Sequence, residues 1–159
     1  MDAIDHALLE LLQENADRPA KALAEQVCLS PSAVERRIAR LKRDGIIDRV
    51  VAIVDPRAAG RALTILVELE IQNEHRHSIE QFQRWIAKAP EVQSCFYVTG
   101  DMDFVLIVTV RDLDEYNAFI SRMMDDQQGL VRKYKSLITL KTVKHGLTVF
   151  LDEGGDQQA

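Results

Sequence analysis

A change of period divides this chain and limits what it can fold into. Up to Gly45 the apolar residues recur every three or four positions, whereas over residues 62–72 every second residue, from Leu63 to Ile71, is a large apolar one. A period near 3.6 suits a helix and a period of two suits a strand, and neither pattern serves the other shape. Between them, Asp55-Pro-Arg-Ala-Ala-Gly-Arg61 keeps neither period and is expected to be a linker. The chain therefore divides into a helical unit and a sheet-bearing unit, and 159 residues are enough for two small domains.

In the first unit, residues 2–14 place Ile4, Leu8, Leu11 and Leu12 on one helical stripe, with Asp2 and Asp5 at the positive end of the helix. A turn is expected at Asn15–Arg18. Pro19 then stands at or just before the first turn of a short helix over 20–27, with Leu23, Ala24 and Val27 inward. Ser30 is a good N-cap and Pro31 fits the first helical position. The third helix, Pro31 to Arg43, carries Val34, Ile38 and Leu41 at i, i+4 and i+7, and Gly45 ends it. Three helices, the last two joined by a tight turn, describe a helix-turn-helix.

The second unit opens with a strand over 62–72, in which Leu63, Ile65, Val67, Leu69 and Ile71 face one way and Thr64, Glu68, Glu70 and Gln72 the other. Ser78-Ile-Glu-Gln81 reads as a capping box, followed by the stripe Ile79, Phe82, Trp85, Ile86 and Ala89. Residues 92–99 give a second strand and Gly100–Asp103 a turn. Phe104–Val110 is continuously apolar, as expected of a strand buried on both faces. Asp112-Leu-Asp-Glu115 opens a further helix with Tyr116, Phe119, Ile120 and Met123 inward, and residues 131–144 give a last strand. The order β-α-β-β-α-β is the ferredoxin-like split, so the fold class is α+β. The expected domains are 1–50, helix-turn-helix; 51–61, a strand (49–54 is β-prone) and linker; 62–150, ferredoxin-like; and 151–159, a flexible tail.

The net charge of −5 argues at first against nucleic acid, but the charge is segregated. Six basic and three acidic residues fall between Ser30 and Arg49, while from Val51 onward there are 12 basic and 16 acidic. At 100° per residue the direction opposite Val34, Ile38 and Leu41 holds Ser32, Ala33, Arg36, Arg40 and Arg43, with Arg37 on the flank. Small polar groups at a helix start followed by arginines suit a recognition helix in the major groove of double-stranded DNA. Ser30 and Ser32 are the expected base readers, Ala33 a contact to a thymine methyl, and Arg36, Arg37 and Arg40 the phosphate anchors. An arginine face alone would equally suit a solvated bundle; the tight turn, the Ser-Pro cap and the local basic excess weigh towards DNA.

Other function classes find little here. No apolar run reaches the ~18 residues of a membrane span, and the acidic amphipathic N-terminus resembles no signal sequence, so a cytoplasmic protein without membrane attachment is expected. Cys28 and Cys95 stand apart and read as reduced, small apolar residues. His6, His75, His77 and His145 have no evident partners. Metal spacing, a Ser/His/Asp arrangement and a phosphate-binding glycine loop are all missing from the sequence, so neither a metal, a cofactor nor a catalytic residue is expected, and the chain does not read as an enzyme.

Leu29-Ser-Pro-Ser-Ala-Val-Glu-Arg-Arg-Ile-Ala-Arg-Leu-Lys-Arg-Asp-Gly-Ile-Ile47 resembles the helix-turn-helix of the Lrp/AsnC, or feast/famine, regulators of bacteria and archaea. Ile4–Leu12 is similar to that family's first helix, and Thr99-Gly-Asp-Met-Asp-Phe104 resembles the glycine-acidic turn of its effector domain. The resemblance covers about residues 2–150. It implies a transcriptional regulator that dimerises through the sheets of its C-terminal domains, often assembles into octameric rings, and commonly binds an amino-acid effector between dimers. By resemblance the effector pocket draws on Thr99, Gly100, Asp101 and Asp103 at the turn and on Leu137, Ile138, Thr139 and Lys141 on the last strand. A glycine turn offers N–H groups to a carboxylate, and a nearby Asp can take an ammonium; the same residues also make an ordinary β-turn.

The chain departs from the family in three places. Cys28 stands where glycine is frequent, Gln127-Gln128-Gly129 where a Pro-Gly pair is common, and Lys141 where a neutral or acidic side chain is usual. Two alternatives share the fold. A siroheme-decarboxylase-like enzyme would carry His and Arg in the second-domain turn, which here reads Phe96-Tyr-Val-Thr-Gly-Asp-Met-Asp103. A sensor without DNA contact would need no basic third helix.

Overall fold

The computed structural model describes residues 1–72, 76–127 and 129–151. It divides into two compact units, Met1–Ala52 together with the chain from Lys144, and Ile53–Val143. The chain from Lys144 therefore packs with the helices of the first unit. Gln13 makes the link within the first unit: its side-chain Nε2 donates to the Val149 carbonyl at 3.1 Å, and its Oε1 accepts from the Val149 N–H at 2.6 Å.

The first unit holds α1 (Ala3–Glu14), α2 (Ala20–Gln26) and α3 (Pro31–Arg43). Leu8, Leu23, Ala24 and Val34 form its core, with Ile4, Leu11, Leu12, Val27, Leu29 and Ile38 packed around them. Asp2 and Asp5 cap α1 reciprocally, each side chain accepting from the other's backbone N–H. Ser30 caps α3 ahead of Pro31. At its other end the Ile46 N–H donates to the Leu41 carbonyl and the Gly45 N–H to that of Lys42, with Gly45 at φ +73, which is the Schellman ending the glycine predicts. In the turn between α2 and α3, Cys28 adopts φ +53, the left-handed conformation that glycine accepts at least cost.

The second unit holds β1 (Leu63–Ile71), α4 (Arg76–Ile86), β2 (Val92–Tyr97), β3 (Phe104–Val110), α5 (Leu113–Asp126) and β4 (Val131–Ile138). The strands form an antiparallel sheet in the order β2-β3-β1-β4, the ferredoxin-like arrangement. Alternation does what it promises in β1: Ile65, Val67, Leu69 and Ile71 are buried beside Phe104, Leu106, Val108 and Val110 of β3. Phe82 and Ile86 of α4 and Tyr116, Phe119, Ile120 and Met123 of α5 close over them. Trp85 Nε1 donates to Asp126 Oδ2 at 2.7 Å, joining the two helices.

Four expectations need correction. Residues 49–54 form no strand, because their backbone has no strand to pair with among the described residues; Val50, Val51, Ile53 and Val54 are exposed. The last strand ends at Ile138, six residues before the expected 144, because β1 begins at Leu63 and leaves only two positions beyond Ile65, the first met by the Thr139 N–H on the Thr64 carbonyl. Ser78 does not cap α4, which starts at Arg76. Finally, β3 is buried on one face only: Val105, Ile107 and Thr109 are half-buried, since both helices lie against the opposite side of the sheet. His75, Gln128 and the tail Asp152–Ala159 lie outside the described residues, whereas His77 is exposed. Among the described residues no helix is long and apolar enough to cross a membrane, and no cluster of His, Cys, Asp or Glu is arranged to hold a metal ion.

Candidate functional site

Three directions radiate from α3. Val34 and Leu41 are buried, and half-buried Ile38 packs against the same core. Opposite them Ser32, Arg36, Ala39 and Arg43 are exposed, and Ala33 is half-buried at the edge. Ser30 Oγ accepts from the Ala33 N–H at 3.3 Å and lies 3.2 Å from Ser32 Oγ, so the two hydroxyls stand together at the helix start. Arg36 has no carboxylate partner among the described residues, and Arg43 pairs only with its neighbour Asp44 at 3.0 Å.

The third direction was not legible in the helical period. Arg37 Nη1 donates to Asp2 Oδ2 at 2.7 Å and to Asp5 Oδ1 at 2.8 Å, while Arg40 Nη2 donates to Asp5 Oδ2 at 2.6 Å. The Asp5 side chain is 1% exposed, against 24% for Arg37 and 42% for Arg40. The Arg37 guanidinium and the Asp5 N–H hold the Asp2 carboxyl down to about 2. Burial pushes Asp5 upward, but the Asp2 N–H and the Arg37 guanidinium outweigh it and leave Asp5 below its ordinary value. The expected phosphate anchors thus divide: Arg36 is free, Arg37 is engaged twice, and Arg40 is engaged once with part of its guanidinium in water. The missed partners carried a faint signal, two carboxylates at the start of α1 and two arginines three residues apart on α3.

The expected effector residues are not brought together in one chain. Thr99, Gly100 and Asp101 are exposed in the β2–β3 turn, with Gly100 at φ +129. Asp103 is half-buried and already bonded: its Oδ2 accepts from the Ile71 N–H at 2.7 Å, and its N–H donates to the Leu69 carbonyl at 2.8 Å. That turn therefore lies at the C-terminal end of β1. Leu137 and Ile138 pair with Leu66 and Ile65, and the Thr139 N–H donates to the Thr64 carbonyl at 3.0 Å, at the other end of the same strand. From Thr64 to Leu69 a strand spans about 17 Å at ~3.4 Å per residue. Leu137, Ile138 and Lys141 are exposed, whereas the Thr139 hydroxyl is buried without a hydrogen-bond partner among the described residues.

The sheet face turned away from α4 and α5 carries Leu66, Phe96, Val105, Ile107 and Leu137, of which Phe96 is 53% exposed. Glu68 and Glu70 on the same face pair with Lys135 at 3.4 Å and Arg132 at 2.8 Å.

Comparison with known proteins matches both units. Residues 1–42 match the model of the AsnC-type helix-turn-helix domain, and residues 64–149 match that of the Lrp/AsnC ligand binding domain. An uncharacterized HTH-type transcriptional regulator of Haemophilus influenzae is 38% identical over 144 residues, 91% of this chain and 85% of that one. The crystal structure of an AsnC family transcriptional regulator from Agrobacterium tumefaciens superposes with a TM-score of 0.90 at 30% identity, covering 96% of this chain and 98% of that one. A transcriptional regulator of Neisseria meningitidis, solved as a complex with L-Met, superposes with a TM-score of 0.89, also at 30% identity, over 96% and 97%.

Proposed function

The chain belongs to the Lrp/AsnC family of DNA-binding transcriptional regulators, and from that premise we propose that α3 reads the major groove with the face that its core and its arginine clamp leave free. The observation that carries this reading is the exposed row Ser32, Arg36 and Arg43, with Ser30 and Ala33 at its start. In this reading the two hydroxyls and the Ala33 methyl meet base edges, Arg36 binds phosphate, and Arg40 adds the part of its guanidinium that Asp5 does not hold. A labelled duplex from the region upstream of the protein's own gene tests it. Binding should fall linearly on a log–log plot of affinity against salt, and Ser32→Ala should weaken that duplex more than an unrelated one. No retardation at low salt would sink the reading.

The second unit, we infer, senses a small molecule, with an amino acid as the ligand class. Support comes from the L-Met complex of the Neisseria relative and from the exposed Gly100 turn, whose backbone N–H groups suit a carboxylate. Because Asp103 is half-buried and already accepts the Ile71 N–H, the exposed Asp101 is the better partner for an ammonium. A pocket using both the turn and the Leu137–Lys141 segment needs a second copy, since one chain holds them at opposite ends of β1. The uncovered apolar face of the sheet supplies a surface for a homodimer, from which an octamer can be assembled. A thermal-shift panel of the twenty amino acids tests the ligand class: at 100 times its dissociation constant a binder adds about 2.7 kcal/mol. A flat panel removes the pocket assignment and leaves the DNA reading standing.

A further inference from the structure

We propose that the Asp2 and Asp5 carboxylates are the built-in counter-ions of the α3 arginines, so that Asp5 is a positioning residue for DNA reading and Arg37 is withheld from phosphate. The inference rests on the reading of α3 as the DNA-facing helix and says which of its charges the DNA can use. A carboxylate as deeply covered as Asp5 holds its charge only with partners around it, and two guanidiniums from α3 supply them. Arg37 spends a single nitrogen, Nη1, on both carboxylates, at 2.7 and 2.8 Å, and is the least exposed arginine of the clamp. Its charge is thereby neutralised from within, so a phosphate reaching the remaining Nε and Nη2 donors gains less than it would from an unpaired arginine.

The position of the pair adds to its strength. Asp2 and Asp5 stand at the start of α1, where the free N–H groups and the helix dipole favour negative charge, and each also accepts from the other's backbone. The clamp therefore sets how α3 lies across α1, and with it the direction in which Ser32, Ala33 and Arg36 point. The whole segment 1–50 carries eight basic and nine acidic residues, so its attraction to DNA depends on where charge is displayed and not on its sum. With Arg37 neutralised from within, the display narrows to the free face of α3, which favours a single docking over indiscriminate phosphate binding.

The full chain tests this by fluorescence anisotropy on a mixed-sequence duplex of about 30 base pairs, titrated with NaCl. Asp2→Asn keeps a good N-cap, so the fold is retained while Arg37 loses one counter-ion. The log–log salt slope of D2N should steepen by up to ~0.9, the increment for one more neutralised phosphate. In D2N/R37Q the gain should vanish, and R37Q alone should keep the wild-type slope. Glu14→Gln, which removes a charge from the exposed end of the same helix, should also leave the slope unchanged. The inference is overturned if R37Q alone flattens the slope by ~0.9, if D2N leaves it unchanged, or if the D2N gain survives in D2N/R37Q or is matched by E14Q. Failure of the wild-type chain to bind any duplex at low salt would remove the DNA reading itself, and this inference with it.

Discussion

The same short signal, an acidic residue followed three positions later by another, opens both α1 and α5, yet the two helix starts are used differently. At α5, Asp112 accepts from the Glu115 N–H at 2.8 Å, and Glu115 pairs with Arg61 and accepts from the Arg111 N–H. Arg111, the residue just before the cap, pairs with Asp112 at 2.8 Å. At α1 the partners come from another helix, 32 to 35 residues away in sequence, and one carboxylate is covered. The cap at α5 trims a helix that Phe119 and Met123 already fix by packing; the cap at α1 helps to place α3 over a smaller core, built on Leu8, Leu23, Ala24 and Val34. Where the apolar core is small, charge geometry takes over the work of orientation.

Breaking each helix at its main support should reveal this difference. Phe119→Ala, which opens a void under α5, should cost about 3–5 kcal/mol in denaturant unfolding. Asp5→Ala should cost about 2 kcal/mol, less than a fully buried pair would, because Arg37 and Arg40 regain water. Glu115→Ala should be distinctly milder than Asp5→Ala; a larger loss would reverse the comparison. Ser30→Ala, which removes the α3 cap together with the contact to the Ser32 hydroxyl, should cost about 1 kcal/mol.

Acid should then loosen the cap at α1, and also the cap at α5, where the Arg111 side chain and N–H hold Asp112 and Glu115 below their ordinary values. A carboxylate whose folded value is depressed contributes stability that is present above its unfolded value and lost as pH falls through the folded one. For Asp2 that window runs from its ordinary 3.8 down to about 2. Around it stand Asp5, Arg37 and Arg40, with Asp44 at the nearby end of α3. Stability should therefore decline from about pH 4 downward, and far-UV dichroism should show Asp2→Asn declining less over that window. The smallest change sharpens the account from the backbone: Cys28→Gly should stabilise by about 0.5–1 kcal/mol by removing the cost of a side chain at φ > 0. No gain, in thermal or denaturant unfolding, would mean that the Cys28 side chain offsets its strain by contacts.

What the sequence made legible was whatever local chemistry decides. Ser30-Pro31 marked the start of α3, Gly45 its end, and the alternation from Leu63 to Ile71 the buried side of β1, because caps, turns and periods act within a few residues. What it concealed depends on partners distant in sequence. Residues 49–54 have strand composition but no strand to pair with among the described residues. The apolar run Phe104–Val110 cannot say whether its second face is covered by this chain or by another. Helical period assigned Arg37 to the flank of α3 and Arg40 to its open face but could not see Asp2 and Asp5 beside them. Likewise Asp103, a plausible ligand by motif, turned out to hold the Ile71 N–H.

The claim at the centre of this account is that the free face of α3 binds DNA, and the salt dependence of binding by Arg36→Gln tests it most directly. Arg36 is exposed and without a carboxylate partner among the described residues, so its loss should leave unfolding unchanged. The account predicts a linear log–log plot for the wild-type chain and one shallower by ~0.9 for the variant. Equal slopes for the two, or no binding by either at low salt, would contradict it.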